Sequence, residues 1–485
     1  MDKFAYYFFG LKLPLLVNFA IPAILLYSFL AKLLKNKYMK LFVFVFIPTL
    51  ILVRLLRNDP FFISDDFDHL NLAYKYGYLD IITKVIGTAG IWVNNRIIIG
   101  FWIFEAIYNL FGPKTEVFLL AMYAFQIINI FLFYLITKKF VKSRLILIFT
   151  TVVVSSFFLT WISNIHEVVG ATFILLSALF FLRWLSHQSS VYYSLIFYIL
   201  AILTKEIAFM LPLVLVLLAA YHHFNISRLR LWKIAKSMFP FFAVFFIYLL
   251  TYAYSFKVYF LIPSSDAYKM TFSIAGIVHN LLYYLTYNFP IINYSAWGIS
   301  FIALLLLYDV VIKKIRVSPF VFSYLVFLFP VLLFLDRHTF YYAYIPTFFL
   351  FMGLSILLAD LHNLLVRSLA GKSRLYLWTF NVYLMLLLTV GVFRLDKLLL
   401  DNTFLIQFPR SRHIKEVILS TAAKAEECYK KDPDNCLLEL NDEDYEKIKF
   451  PVVSRSIYVF LSPELSRQVI ISLDPGKKAL IVEKR

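Results

Sequence analysis

The chain has 485 residues, of which 61% are hydrophobic and 16% are charged, and its mean hydropathy is +0.78. Soluble proteins average about 45 to 50% apolar and about 25% charged residues, so this composition excludes an ordinary water-exposed protein and indicates a membrane protein. The net charge of +18 lies wholly before position 396, because residues 396–485 carry equal numbers of acidic and basic residues. Basic residues scattered among the short loops of an apolar chain are typical of a multi-pass protein, and we expect no nucleic-acid partner.

Hydrophobic runs near the length of about 20 residues that a bilayer-spanning helix needs recur along residues 1–395. They predict an all-α polytopic membrane domain with about twelve transmembrane helices. The sixth and seventh runs are short and are separated by Lys205 and Glu206, which is typical of a tilted pair or of a helix broken at a cavity. The runs are 13–34, 41–57, 115–137, 145–163, 168–185, 191–204, 207–222, 237–254, 296–312, 318–335, 340–359 and 375–395.

Clusters of Lys and Arg fall in every second connection between these runs, which predicts that those connections are cytoplasmic. The alternate connections, including the long ones at 58–114 and 255–295, then face outward together with both termini. We therefore expect a multi-pass protein of the cell membrane whose acidic residues lie mainly on the extracytoplasmic side.

Residues 396–485 read as a small extracytoplasmic soluble α+β domain. A charged helical stretch at 411–431 is followed by alternating runs at 457–461 and 469–473, which favour strands. Cys428 and Cys436 are the chain's two cysteines, and outside the cytoplasm they could form a disulfide or remain as two free thiols.

The outer segment 58–114 is too long and too aromatic for a simple connector. It contains three acidic residues, Asp65, Asp66 and Asp68, in the motif SDDFDHL. Neighbouring carboxylates repel each other unless a cation, a metal or a substrate proton compensates, so they are candidates for a general base or for metal ligands. The alternative is that one of them caps a helix.

Further charged residues interrupt apolar stretches on the same predicted side. An ionisable group within a span costs roughly 2.5 to 3.5 kcal/mol at the helix centre, so it suggests function, although ends of helices reduce this cost. The second part of the outer segment, 94–112, has the spacing of a helix lying in the membrane interface. The candidate substrate-binding residues are Arg96, Lys205, Glu206, Arg337 and His338, with Asp68, His166 and Glu167 in supporting roles.

These residue types make a consistent set for group transfer. An aspartate would remove a proton from an acceptor hydroxyl, while lysine and arginine would hold a phosphate leaving group. Asp66 and His166 could also bind a divalent metal, but the sequence has no HExxH motif, and metal dependence stays open. Walker, GxGxxG and GxSxG motifs are absent from the sequence, which disfavours ATP-driven transport, nucleotide redox chemistry and serine hydrolysis.

The chain resembles the GT-C superfamily of multi-pass glycosyltransferases, close to the protein mannosyltransferase and aminoarabinose transferase branch. The resemblance covers roughly the first 360 residues and is carried by four motifs in order: SDDFDHL at 64–70, NNRIIIGFWIFEAIYNLFG at 94–112, LTKEIAFMLPLVL at 203–215 and DRHTFYYAYIPTFFLFMGL at 336–354.

The resemblance implies transfer of a sugar from a polyprenyl-phosphate carrier to a glycan, lipid or protein acceptor on the outer face of the membrane, with inversion at the anomeric carbon. Either Asp65 or Asp66 would be the general base, and Lys205 and Arg337 would contact the phosphate. Some members use a divalent metal and others use none. Two other readings remain, a polymerase or ligase of surface polysaccharide and a secondary transporter, although the chain has few glycines and no detectable internal repeat.

Overall fold

The computed structural model of the protein describes most of the chain after residue 96 and single positions before it. The described residues are 45, 48, 49, 52, 53, 56, 62, 66, 69, 70, 73, 97–155, 157, 159, 161–226, 231–256, 273–288, 297–312, 314–333, 340–368, 402–433, 436–441, 444, 457–461, 469–474 and 479–484.

Helices dominate this part of the chain. After a π-helical turn at Ile97–Phe101, the α-helices in chain order are α1 (Trp102–Phe111), α2 (Thr115–Thr137), α3 (Arg144–Ser155), α4 (Ile165–Leu185), α5 (Val191–Ile202), α6 (Leu211–Asn225), α7 (Leu231–Phe256), α8 (Ile274–Asn288), α9 (Trp297–Val311), α10 (Ser318–Leu332), α11 (Tyr344–Ser368) and α12 (Asn402–Lys431). Short 3₁₀ turns occur at Ile162–Asn164, Glu206–Met210, Phe340–Ala343 and Ile457–Phe460.

Within the described ranges, five helical segments are long and apolar enough to cross a membrane. They are Thr115–Thr137, Ile162–Leu185, Glu206–Asn225, Trp232–Leu250 and Tyr341–Leu364. Six further apolar helices, among them α5 and α10, are shorter. Such lengths and compositions support a membrane-embedded helical protein, whereas the number of twelve spans is not confirmed. The predicted runs 13–34 and 375–395 lie outside the described residues.

Helix α8 lies within the segment 255–295, which the sequence predicted to be an outer connection. The predicted end of the run 145–163 was wrong. Helix α3 ends at Ser155 instead of continuing to 163. Its early end has a physical reason: the side-chain amide of Gln126 on α2 donates to the Leu159 carbonyl (3.0 Å) and accepts from the Leu159 N–H (2.9 Å). A side chain thus satisfies backbone groups that a continuing helix would have paired internally.

Helix α4 is the centre of the membrane domain. It packs against α2, α5 and α6, while α10 packs against α11 and α6. Asn129 on α2 is fully buried and links three helices by donating to the Val168 carbonyl (2.8 Å) and the Tyr344 hydroxyl (3.2 Å) and accepting from Thr172 Oγ1 (2.7 Å). Because an unpaired polar group is costly in an apolar interior, this network fixes how α2, α4 and α11 are placed relative to one another.

The other end of the α10–α11 pair carries a second polar cluster. Asp309 at the end of α9 accepts from the backbone N–H groups of Arg316 (2.8 Å) and Ser318 (2.8 Å), which lie at the start of α10. Arg316 forms an ion pair with Asp360 on α11 (2.9 Å), and Tyr308 donates to the same carboxylate (3.1 Å). These contacts join α9, α10 and α11 through one short connection.

The C-terminal residues form a helix and a small sheet, as the α+β prediction expected. The strands β1 (Cys436–Glu439), β2 (Val469–Asp474) and β3 (Ala479–Lys484) make an antiparallel sheet in the order β1-β3-β2. The sheet confirms the predicted strand at 469–473, whereas the run at 457–461 was wrong as a strand, because Ile457–Phe460 is a 3₁₀ turn. A disulfide between Cys428 and Cys436 joins α12 to β1.

Candidate functional site

The beginning of α4 brings together polar residues from distant parts of the chain. It follows the extended stretch that ends α3 and the 3₁₀ turn Ile162–Asn164. Around it lie described residues of the SDDFDHL motif, the π-helical turn before α1, the break between α5 and α6, and the 3₁₀ turn before α11. All four motifs that carry the resemblance thus supply described residues to this one region, and the motif at 94–112 supplies Gly100, Phe101 and Phe104.

Asp66 is buried against the start of α4, with 1% of its surface exposed. Its Oδ1 accepts a hydrogen bond from the Ser163 backbone N–H (2.7 Å) and another from the Ser163 hydroxyl. The carboxylate therefore sits at the positive end of the α4 dipole, which favours its ionised form. The sequence posed base and helix cap as alternatives; Asp66 does cap a helix, but one almost a hundred residues further along the chain.

His166 is buried one turn after Ser163 and faces His69, which lies one turn after Asp66. The two Nε2 atoms are 3.3 Å apart, and the ring centroids are 4.9 Å apart. In a neutral pair, one ring donates the shared proton and the other accepts it. The His166 ring rests directly on the backbone of Gly100, where a Cβ atom would overlap Nδ1.

Glu167 follows on α4 and forms a buried ion pair with Lys205. The Lys205 ammonium also lies 3.3 Å from Glu206 Oε1. Lys205 is 1% exposed, and its stem passes so close to α4 that a Cβ at Gly170 would lie 2.9 Å from the Lys205 Cβ. Of these three charged side chains, Glu206 is the accessible one, with 26% of its side chain exposed.

Two tyrosines before α11 complete the surroundings of Lys205. The Nζ atom lies 5.9 Å from the ring centroid of Tyr341 and 5.5 Å from that of Tyr342. Both rings are buried, and Trp161 meets Tyr341 edge to face at 6.0 Å. The negative faces of aromatic rings attract a nearby ammonium, so these tyrosines help to hold Lys205 Nζ in this position.

The chain breaks at this point for local reasons. Helix α5 ends at Ile202, the Leu203 carbonyl accepts from the Ile99 N–H (3.1 Å), and Lys205 takes an extended backbone conformation before the 3₁₀ turn Glu206–Met210. The sequence left a tilted pair and a broken helix as alternatives for the sixth and seventh runs, and the structure shows the break. The break places a charged pair inside the helix bundle.

Of the ten residues predicted for the site, five are described and all five converge: Asp66, His166, Glu167, Lys205 and Glu206. Asp65, Asp68, Arg96, Arg337 and His338 lie outside the described residues, and their roles stay predictions.

Sequence reasoning missed several contributors. His69 was visible only as part of the acidic motif, and Gly100, Ser163, Tyr341 and Tyr342 were not singled out. Asn164, 3% exposed, also went unnoticed; its Nδ2 is a buried donor with no hydrogen-bond partner among the residues that the structure describes. No short sequence motif links these residues, because each one reaches the site from an element far away in the sequence.

The described side chains of this cluster carry more negative than positive charge. The carboxylates of Asp66, Glu167 and Glu206 are accompanied by the single ammonium of Lys205. Within the part of the chain that is described, no three His, Cys, Asp or Glu side chains form a group suited to a metal ion. The cluster can accept protons and hydrogen bonds from hydroxyl groups, whereas binding of a phosphate requires further cations.

Comparison with known proteins gives no match: no family model, no curated protein and no solved structure is significantly similar to the chain.

Proposed function

We propose that the protein is a membrane glycosyltransferase of the GT-C type that moves a sugar from a polyprenyl-phosphate-linked donor to an acceptor hydroxyl. The observation that carries this proposal is the convergence of Asp66, His166, Glu167, Lys205 and Glu206 at the beginning of α4. These residues come from three segments of the chain that are separated by long apolar stretches. Charged groups gathered inside an apolar helix bundle are costly and therefore favour a functional site.

In the proposed reaction, the acceptor oxygen attacks the anomeric carbon while the bond from that carbon to the carrier phosphate breaks. The acceptor proton passes to the carboxylate of Asp65 or Asp66, and the negative charge that develops on the phosphate needs cations. Arg96, Arg337 and His338 are the proposed sources of that positive charge. Hydrogen bonds from the Ser163 N–H and hydroxyl hold the Asp66 carboxylate in place at the start of α4.

A lipid-linked donor also needs an apolar lateral approach, and the outer faces of the helices provide large exposed apolar side chains. On α7, Phe239, Phe246 and Leu250 are all more than half exposed. In a membrane these side chains contact lipid, so the surface around the bundle suits a polyprenyl chain.

The finer topology belongs to the same proposal. We place the beginning of α4 on the extracytoplasmic side of the cell membrane, with about twelve spans and with residues 396–485 as an extracytoplasmic domain. The disulfide between Cys428 and Cys436 supports this, because disulfides persist in oxidising compartments. The basic connections at the opposite end, such as that between α2 and α3, suit the cytoplasmic side.

Replacing Asp66 with Asn tests the base. Asparagine keeps an oxygen that accepts from Ser163, so we expect normal insertion and folding, but loss of the carboxylate should reduce transfer by about 10²- to 10⁴-fold. The readout is mass analysis of the lipid and glycan products in cells that lack the native copy and carry the variant. Asp65→Asn is measured in parallel, because either aspartate could be the base; full activity of both single variants would refute the assignment.

A secondary transporter is the second candidate, and one observation favours it. The break between α5 and α6 at the buried Lys205 resembles the interrupted helices that form substrate sites in transporters. The two functions differ in outcome, since a transporter would change the distribution of a solute but would leave no altered glycan or lipid product in a deletion strain.

A further inference from the structure

We propose that Lys205 is a positioning residue, a buried counter-ion that holds Glu167 and Glu206 in place, and that it is not the ligand of the donor phosphate. The inference refines the proposed function and rests on it only where phosphate binding is concerned. It departs from the resemblance, which assigned Lys205 to the phosphate.

Lys205 is closed to a ligand on the sides that the structure describes. It is 1% exposed, and its ammonium contacts Glu167, Glu206 and the rings of Tyr341 and Tyr342. A phosphate that reached this ammonium would have to break its buried ion pair with Glu167, which is itself 3% exposed. Removing one partner of a buried ion pair is strongly unfavourable, so the exchange is disfavoured.

The charges around Lys205 also disfavour a phosphate. In the trio of Glu167, Lys205 and Glu206, two carboxylates face one ammonium. A phosphate brought to it would meet repulsion from Glu206 at short range. Hydroxyl groups, by contrast, can donate hydrogen bonds to the partly exposed Glu206 carboxylate. The trio therefore suits the sugar or acceptor hydroxyls rather than the phosphate.

The aliphatic part of the Lys205 side chain is also held closely by its neighbours. Gly170 on α4 leaves room for that stem, with a would-be Cβ at 2.9 Å, so α4 and the α5–α6 break meet at close range. Two rigid elements thereby bring Glu167 and Lys205 together. Packing of these two elements fixes the pair in one position. This is expected for a structural contact and not for a side chain that must move to bind a ligand.

A double-mutant cycle tests the positioning role without any substrate. The variants Lys205→Met, Glu167→Gln and the double variant are purified in detergent as full chains, and their melting temperatures are compared with that of the wild type. We expect Lys205→Met to melt about 5 °C or more below the wild type, because it removes the ammonium that Glu167 and Glu206 both contact. Glu167→Gln should lose less, because Lys205 keeps its contact with Glu206. The double variant, which buries neither charge, should recover more than half of the larger loss.

Lys233→Met on α7 is the matched control, because Lys233 is exposed and should tolerate the same exchange with no change in melting temperature. If a single variant fails to fold and the double variant folds, the double variant has recovered the lost stability, and this supports the inference more strongly. A double variant that melts as low as the worse single variant, or lower, would overturn the inference.

The phosphate is then probed with polyprenyl monophosphate, which should raise the melting temperature of the wild type by binding the native state. If Lys205 only positions carboxylates, the folded double variant keeps at least half of that increase; complete loss of the increase would identify Lys205 as the phosphate ligand and overturn the inference. A wild type that shows no increase would count against the proposed donor class, and the positioning role would then be decided by the cycle alone.

Discussion

At the scale of single residues, the site depends on two glycines, whose lack of a side chain lets neighbouring groups approach closely. Gly100 carries the His166 ring on its backbone, and Gly170 gives space to the stem of Lys205. Both glycines bring a polar side chain closer to a neighbouring backbone than any other residue would allow. Close approach of this kind is what lets histidine and lysine be buried with their partners instead of facing lipid.

Gly100→Ala tests this dependence. The added methyl group would overlap His166 Nδ1, so we expect the unfolding free energy to fall by about 1 to 3 kcal/mol and the melting temperature to fall with it. The control is the same change in a His166→Ala background, where the obstructing ring is absent and the further cost should be small. Equal losses in both backgrounds would show that the His166 ring is not what limits the space at Gly100.

At the scale of secondary-structure elements, α10 begins where a side chain from another helix provides its cap. Asp309 accepts from the N–H groups of Arg316 and Ser318 and from the Val317 N–H at 2.9 Å, and it also accepts from the Ser318 hydroxyl at 2.6 Å. The first N–H groups of a helix have no partner within the helix, so an anionic acceptor there is strongly stabilising.

Asp309→Ala should therefore destabilise the protein by roughly 2 kcal/mol or more, because several backbone donors lose their acceptor at once. Asp309→Asn keeps one acceptor oxygen and should fall between the alanine variant and the wild type. The measurement is thermal unfolding of the full chain in detergent. An alanine variant that unfolds at the wild-type temperature would show that water or other groups replace the carboxylate without cost.

Element boundaries show what the sequence could and could not predict. The run 115–137 coincides with α2 because it is mostly apolar and is followed by two lysines. The end of α3 at Ser155 was missed because it depends on Gln126, a residue on another helix. The 3₁₀ turn Ile457–Phe460 has the same alternating pattern as a strand, and short apolar runs do not distinguish the two.

The same division holds for the site. Asp66, His166, Glu167 and Lys205 were predictable, because charges in apolar stretches stand out in a sequence. Tyr341 and Tyr342 were not, because aromatic residues are common throughout this chain and their contact with Lys205 is a tertiary one. The sequence shows which charged side chains are costly to bury, whereas tertiary packing determines which neighbours stabilise them.

At the scale of the whole molecule, two polar regions lie at opposite ends of the helix bundle. Along α4, Glu167 and Arg183 are separated by about 24 Å at 1.5 Å per residue, and Tyr344 and Asp360 on α11 are separated by about the same distance. Near Arg183, burial and the positive charge of that residue lower the pKa of Lys139. The hydrocarbon core of a bilayer is about 30 Å thick, so the separation of the two polar regions fits helices that run from one side of a membrane towards the other.

A polar cluster at one end of the helix bundle suits a reaction between a lipid-linked donor and a water-borne or lipid-borne acceptor, because the carrier chain would stay in the bilayer while its head group reaches the charged residues. The proposed function requires that this cluster face the extracytoplasmic side. It also requires that the connection between α9 and α10, with its basic residues and Asp309, face the cytoplasm.

Sidedness is therefore the measurement that tests the central claim most directly. Single cysteines are introduced as Glu206→Cys and Lys314→Cys in a chain whose Cys428 and Cys436 are replaced by serine, and intact cells are treated with a membrane-impermeant maleimide. The account predicts labelling of the Glu206→Cys protein in intact cells and of the Lys314→Cys protein only after the membrane is opened. Labelling of Lys314→Cys in intact cells, with Glu206→Cys protected until lysis, would contradict it.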